Sequence, residues 1–132
     1  EIQSNYSVCA HSDGDIVFHA LSDAIYGAIT NGDIGTHFPS NDQNLDISSK
    51  KILSHACEML DKFGYSLGNI DITIILEEPR LQNFITQMRQ NISTLTSLNI
   101  DRISIKSSTS QGIGPIGNNQ AIACYSSILI KK

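Results

Sequence analysis

Ile70-Asp71-Ile72-Thr73-Ile74-Ile75-Leu76 opens with apolar-polar alternation, ends in a continuous apolar run and is rich in β-branched residues, which predicts a central strand. Glu77-Glu78-Pro79 terminates it. Upstream, Ile52, Leu53, Ala56, Cys57, Met59, Leu60 and Phe63 keep helical spacing, with Asp46 or Ser48 as cap and Gly64 as stop. A first helix is expected from residue 16 to about Thr30, where Asn31-Gly32 ends it, and Ser12 with Asp15 three residues on makes a capping-box-like start. Residues 33–42 have no useful period and read as a loop long enough to act as a flap. Downstream, Leu81 to Leu98 returns to helical spacing through Ile85, Met88, Ile92 and Leu95, and Arg102 to Lys106 alternates as a strand. Ser107 to Asn119 reads as a glycine- and hydroxyl-rich loop, and Ala121 to Ile130 as a final strand. Helices and strands that alternate with short connections predict an α/β two-layer domain, a mixed sheet with helices packed on one face.

With 132 residues, residues 1–132 are expected to form one domain. Hydrophobic residues make up 40% and charged residues 17%, without a low-complexity tract, so the chain reads as globular. A net charge of −4 and no Lys/Arg run argue against a nucleic-acid groove or a polybasic membrane patch. No apolar run approaches the ~20 residues that span a membrane. Cys9, Cys57 and Cys124 are too few and too far apart for a disulfide framework or a zinc ribbon, and read as reduced thiols. An intracellular protein is expected.

The densest chemistry lies in His11-Ser12-Asp13-Gly14-Asp15, followed by His19 and Asp23. On a helix, Asp15, His19 and Asp23 fall about 40° apart in projection and share one face. Val17, Ala20, Leu21, Ala24 and Ala28 are expected on the opposite, apolar side, so His19 should look into a cleft. A lone helical histidine is more often a packed or surface residue than a ligand. Imidazole is nevertheless a common zinc ligand, and carboxylates one turn away can orient it. Exposed amides at a helix start also suit phosphate. His37 and His55 read as solvated or structural residues.

Several stretches match one family in order and spacing. They are Ala10-His11-Ser12-Asp13-Gly14-Asp15 with His19-Ala20-Leu21 and Asp23-Ala24, Gly32-Asp33-Ile34-Gly35 with Phe38-Pro39, Gly64-Tyr65-Ser66-Leu67-Gly68-Asn69-Ile70-Asp71, and Ile122-Ala123-Cys124. From about residue 10 onward the chain resembles the 2-C-methyl-D-erythritol 2,4-cyclodiphosphate synthases. The resemblance implies a homotrimer with active sites between subunits, in which a cytidine diphosphate-linked methylerythritol 2-phosphate is cyclised and CMP leaves. It implies that His19 is a zinc ligand and that His11 with Ser12 holds the reacting diphosphate. Thr109, with Ser108 beside it in the stretch Ser108-Thr109-Ser110-Gln111, would sit across the phosphates, so His11 and Thr109 are the candidate catalytic residues. Asp33, Ile34 and Gly35 would contact the methylerythritol moiety, aided by Phe38, Pro39, Ser40, Asn41 and Asp42. Leu76, Glu77, Glu78, Pro79, Arg80, Leu81 and Gln82 would form the cytidine pocket, largely through backbone groups.

The chain also departs from that pattern. The family carries an Asp-x-His pair on a first strand that completes the zinc site, and no such pair is present here; the strand is expected upstream of Glu1. Gln111 stands where the family places a glutamate that ligates magnesium or manganese. A neutral amide is a weaker oxygen ligand, which puts that second metal in doubt. Pro115 and Asn118 replace a phenylalanine and an arginine of the central channel, and Ser40 replaces an acid of the flap. A catalytically silent trimer that binds a cytidine nucleotide or a diphosphate therefore stays open beside the active enzyme.

Overall fold

In the computed structural model, which describes residues 13–41, 44 and 46–132, the element order is α1 (Ile16–Ala28), α2 (Ile34–His37), α3 (Ser49–Lys62), β1 (Ser66–Ile75), α4 (Ile85–Thr96), β2 (Ile103–Ser108), α5 (Gly114–Gly117) and β3 (Ala123–Lys131). A 3-10 turn over Ile100–Arg102 leads into β2. β1 lies between its two neighbours. It pairs parallel with β2, Ile70 opposite Ile103 and Ile72 opposite Ile105, and antiparallel with β3, Ile72 opposite Ser126 and Thr73 opposite Tyr125. A parallel neighbour requires a crossover, which α4 supplies. The result is an α/β fold on a mixed three-stranded sheet.

The alternation in the sequence separates the faces of that sheet. Ile70, Ile72 and Ile74 are buried with Leu21 and Ile25 of α1, Leu53, Ala56 and Leu60 of α3, and Ile92 of α4 in one hydrophobic core. Asp71 and Thr73 point the other way, where Asp71 pairs with Lys106 and where Tyr125 and Leu129 are 65% and 67% exposed.

Several boundaries differ from the sequence reading, each for a local reason. β1 begins at Ser66, ahead of the expected Ile70, because Gly68 interrupts the pattern without ending the strand. The register with β3 shifts between Leu67 and Asn69, and a Cβ on Gly68 would lie 3.1 Å from the Leu129 carbonyl oxygen, so glycine marks a bulge here. Residues 33–42 are not a plain loop, since Ile34–His37 form one helical turn. Residues 107–119 are likewise not one loop: Ser107 and Ser108 extend β2, and Gly114–Gly117 form another short turn. Residues 81–84 make a turn before α4, which stops at Thr96 because Ser97 adopts a left-handed conformation. β3 starts at Ala123 rather than Ala121 and continues to Lys131, and α1 ends at Ala28 rather than Thr30.

The buried face of α1 is also rotated from the expected one. Val17, Phe18, Leu21, Ser22, Ile25 and Tyr26 are buried, while Ala20 and Ala24 are half-buried and Ala28 is exposed. α1 packs against both α3 and β3, and the larger side chains occupy that wide arc because they remove more apolar surface from water. Truncating Ile72 to Ala at the centre of the core should lower the unfolding free energy in urea by about 2–5 kcal/mol, whereas Lys106→Ala on the open face should change it by less than about 1 kcal/mol.

Candidate functional site

α1 begins at Asp15, whose Oδ1 accepts the amide N–H groups of Val17 and Phe18, both at 3.1 Å. The cap is therefore Asp15 itself; the box partner Ser12, with His11, lies outside the described residues. Asp13, two residues earlier, ties α1 to α3. Its Oδ2 accepts the Ser49 amide at 3.0 Å, its Oδ1 accepts the Asp15 amide at 3.3 Å, and the Ser49 hydroxyl donates to Oδ1. Burial pushes the Asp13 carboxyl up, but the hydrogen bonds from Ser49 and Asp15, with the nearby His19 charge, outweigh it and hold the group below its ordinary value.

Ser49 Oγ is also 3.0 Å from His19 Nε2. A hydroxyl has one proton to give, so with that proton directed to Asp13 it accepts from His19 Nε2. The group that meets His19 from α3 is thus a hydroxyl backed by Asp13. Asp15 caps α1, and Asp23 Oδ1 accepts the Ile34 amide at 2.9 Å, so both carboxylates expected to orient His19 hold backbone instead. Among the described residues no three His, Cys, Asp or Glu side chains are grouped to hold a metal ion. His19 alone does not make a zinc site, and these residues do not fit a complete one.

The segment after α1 is fastened at both ends. Asp33 caps α2, accepting the Thr36 amide at 2.8 Å and the Thr36 hydroxyl at 2.7 Å, and these hydrogen bonds hold its carboxyl below its usual range. The Asp23 bond to Ile34 fixes the same turn to α1, and Gly35 is exposed beside it. Beyond α2, the Pro39 carbonyl accepts from the Asn44 side chain at 2.8 Å and Asn41 Oδ1 accepts the Asn44 amide at 3.2 Å. Ser40 is exposed, and Asp42 lies outside the described residues.

A ring cluster lies under this segment. His37 stacks on Tyr26 with centroids 4.3 Å apart, and His55 approaches both His37 and Phe38 at 5.2 Å. Tyr26 Oη is 2.8 Å from His55 Nδ1, and His37 Nε2 is 2.8 Å from the Asn31 carbonyl oxygen. The two histidines therefore pin α2 and Phe38 to α1 and α3. Burial, helped by the Asp23 and Cys57 charges, pushes the Tyr26 phenol up to about 12.

The second group of candidate residues lies beyond the ends of β1 and β2. The Leu76 amide donates to the Ser108 carbonyl at 3.0 Å. The Glu77 side chain crosses to the neighbouring loop, where Oε1 accepts the Ser110 amide at 2.8 Å and the Gly112 amide at 3.3 Å. Thr109 Oγ1 accepts from the Gln111 amide at 3.3 Å and from Gln111 Nε2 at 3.1 Å. Leu76 and Leu81 are buried, Pro79 follows a cis peptide bond, and Glu78, Arg80 and Gln82 are exposed. The loop closes tightly, since a Cβ on Gly117 would lie 2.1 Å from the Gly112 carbonyl carbon.

The hydrogen bonds of the first group run among α1, α2 and α3; those of the second run between the ends of β1 and β2. Ser49 and the side-chain role of Glu77 escape sequence reasoning, because each meets a partner more than thirty residues away. The one local signal for Ser49 is a small hydroxyl at the start of a helix, and it is fully buried.

A helix-covered mixed sheet, with one candidate group at its helix starts and another beyond its strand ends, places the chain in the α/β class. The YgbB family model matches residues 1–131, and the chain belongs to that family. It is 43% identical over 130 residues to 2-C-methyl-D-erythritol 2,4-cyclodiphosphate synthase of Clostridium kluyveri, covering 98% of this chain and 79% of the relative. Among solved structures, it resembles IspF of Plasmodium falciparum in a CDP complex, with 38% identity, a TM-score of 0.83, and 92% and 74% of the two chains covered. It also resembles a structure of 2C-methyl-D-erythritol-2,4-cyclodiphosphate synthase, with 30% identity, a TM-score of 0.90, and 98% and 85% covered.

Burial holds His55 below its ordinary value, as do the charges of His37 and Lys62, against an opposing pull from Glu58. The neutral ring is the form that fits, so its stabilising contribution is full above the ordinary value of about 6.5 and is lost as pH falls through the lowered one. Thermal unfolding should show a midpoint that drops between about pH 7 and 5. His55→Leu should flatten that drop; an unchanged slope would remove His55 as its source.

Proposed function

We propose that the chain converts 4-diphosphocytidyl-2-C-methyl-D-erythritol 2-phosphate to 2-C-methyl-D-erythritol 2,4-cyclodiphosphate with release of CMP, a step of non-mevalonate isoprenoid precursor biosynthesis. The observation that carries this reading is the 43% identity, over 98% of the chain, to a relative of that activity; the CDP complex of the Plasmodium falciparum relative supports the cytidine-linked ligand. An oxygen of the 2-phosphate attacks the diphosphate phosphorus that carries the methylerythritol ester, the new P–O bond closes the ring, and the bridging P–O bond breaks so that CMP departs with its electrons. Little covalent help is needed, so positioning and hydrogen-bond donors at the phosphoryl oxygens carry the rate.

In this reading His11 and Ser12 hold the diphosphate, and Thr109, steadied by Gln111, sits across it with Ser108 and Ser110 beside it. Asp33, Ile34 and Gly35 on their capped turn receive the methylerythritol moiety with Phe38 to Asp42, and residues 76–82 receive the cytosine. No step is assigned to a metal ion, and Gln111 is assigned to Thr109 rather than to a cation. The enzyme works in the cytoplasm of a bacterial cell, a placement the bacterial source of the Clostridium relative supports.

The active form is a homotrimer with sites between neighbouring subunits. Two features support this: Tyr125 and Leu129 are exposed on the sheet face turned away from the helices, and the two groups of candidate residues each have their own hydrogen-bond network. Charging that face with Leu129→Asp should lower the mass measured by light scattering from three chains to one and abolish CMP release.

Incubation with the diphosphocytidyl substrate, followed by 31P NMR and chromatography, should show CMP and the cyclic diphosphate appearing together. Thr109→Val should slow CMP release by about 100–1,000-fold. CDP binding without any CMP release would leave the silent-trimer reading, which Gln111 in the place of a glutamate favours.

A further inference from the structure

We infer that Glu77 is a positioning residue whose carboxylate locks the phosphate-side loop to the cytidine-side segment, so that the two hold the halves of the diphosphocytidyl group at a fixed separation; this rests on the cyclodiphosphate reading above. Glu77 stands two residues past the end of β1 at Ile75, and its backbone belongs to the 76–82 segment. Its side chain leaves that segment and enters the loop after β2, where one oxygen, Oε1, receives two backbone amides, those of Ser110 and Gly112. Ser110 Oγ is 3.1 Å from the same oxygen and 2.8 Å from the Ile113 carbonyl oxygen, so its single proton serves one of the two.

The loop needs such an anchor. Gln111, Gly112 and Gly114 all have positive φ, at 57°, 74° and 70°, so the loop turns sharply and presents alternate amides, those of Ser110 and Gly112, to one anionic oxygen, while the Gln111 amide between them goes to Thr109 Oγ1. In this chain the anion is internal. The amides are also those that flank Gln111, which in turn donates to Thr109, so the Glu77 bonds fix the residue that steadies the candidate catalytic hydroxyl. Leu76 adds the only other described tie between these two segments, through the Ser108 carbonyl. That bond merely extends the strand pairing and does not reach past Thr109.

A carboxylate satisfied by backbone amides has a different signature from one that contacts the ligand. Removing it should weaken binding of the diphosphate far more than binding of the nucleoside monophosphate, because the 76–82 backbone stays in place. In Glu77→Ala, CDP affinity measured by calorimetry should fall about tenfold while CMP affinity changes less than about twofold, an effect of the size expected for two lost hydrogen bonds. kcat for CMP release should fall more than KM rises. Glu77→Gln keeps an oxygen acceptor for both amides and should recover the greater part of the CDP preference. Hydrogen exchange at the Ser110 and Gly112 amides should quicken in Glu77→Ala, with the β1 amides unchanged as the control for folding.

Equal exchange at those two amides in the wild type and Glu77→Ala would overturn the proposal, as would Glu77→Gln falling as far as Glu77→Ala, which would make the charge rather than the acceptor the active feature. A wild type that protects these amides through Glu77 but neither binds CDP nor releases CMP would instead sink the cyclodiphosphate reading and leave the lock standing.

Discussion

The pairing of β1 on both of its edges is the constraint on which the rest of the structure depends. From Ile70 to Ile75 β1 has a neighbour on each edge, so its backbone there is paired and only its faces are left to cover. The alternation of Ile70, Ile72 and Ile74 with Asp71 and Thr73 sends one face into the helix layer and the other outward. The helices therefore pack on one side, and the segments that leave β1 and β2 emerge together at one end of the sheet, joined by the Leu76 amide and the Ser108 carbonyl. That shared exit puts residues 76–82 beside residues 108–112, although about thirty residues of crossover separate them.

How much of this is legible in the sequence depends on whether the determinant is local. The β-branched alternation of β1, the helical spacing of α3 and the stop at Gly64 are local, and each element lies close to where its pattern puts it. The family motifs carry the fold and the ancestry further than periodicity can, since they preserve spacing across elements. What the sequence does not carry is the pairing of side chains across distance. Nothing in Ser48-Ser49 distinguishes a hydroxyl that caps from one that bridges Asp13 to His19. Likewise, nothing in Glu77-Glu78-Pro79 marks one carboxylate for a loop over thirty residues on.

The rotated face of α1 has the same cause at helix scale. A single stripe of small residues at helical spacing suggests an apolar side, yet α1 is covered by α3 on one flank and β3 on another. The arc that must be filled is wider than one stripe, and Phe18, Ile25 and Tyr26 fill it while Ala28 remains outside. Burying Tyr26 then sets a further condition, because its hydroxyl needs a partner within the protein. His55 supplies that partner, and His37 stacks on the ring. Two histidines that read in the sequence as solvated or structural residues are structural ones, lying under the segment that follows α2.

The candidate site is therefore held by polar contacts between elements rather than by the core alone. Asp13, Asp23 and Asp33 each accept backbone amides at a helix start or turn, and Glu77 does the same for a loop. A carboxylate that receives amides orients backbone and contributes a fixed negative charge. A site for a diphosphate cannot face several such charges without repulsion. At least one oxygen of each is turned onto amides, which eases the conflict: in the proposed reading these acids shape the loops while neutral hydroxyls such as Thr109 meet the ligand. The chain's net charge of −4 is a sum over all its residues, and amide dipoles turned onto these carboxylates offset part of their field locally.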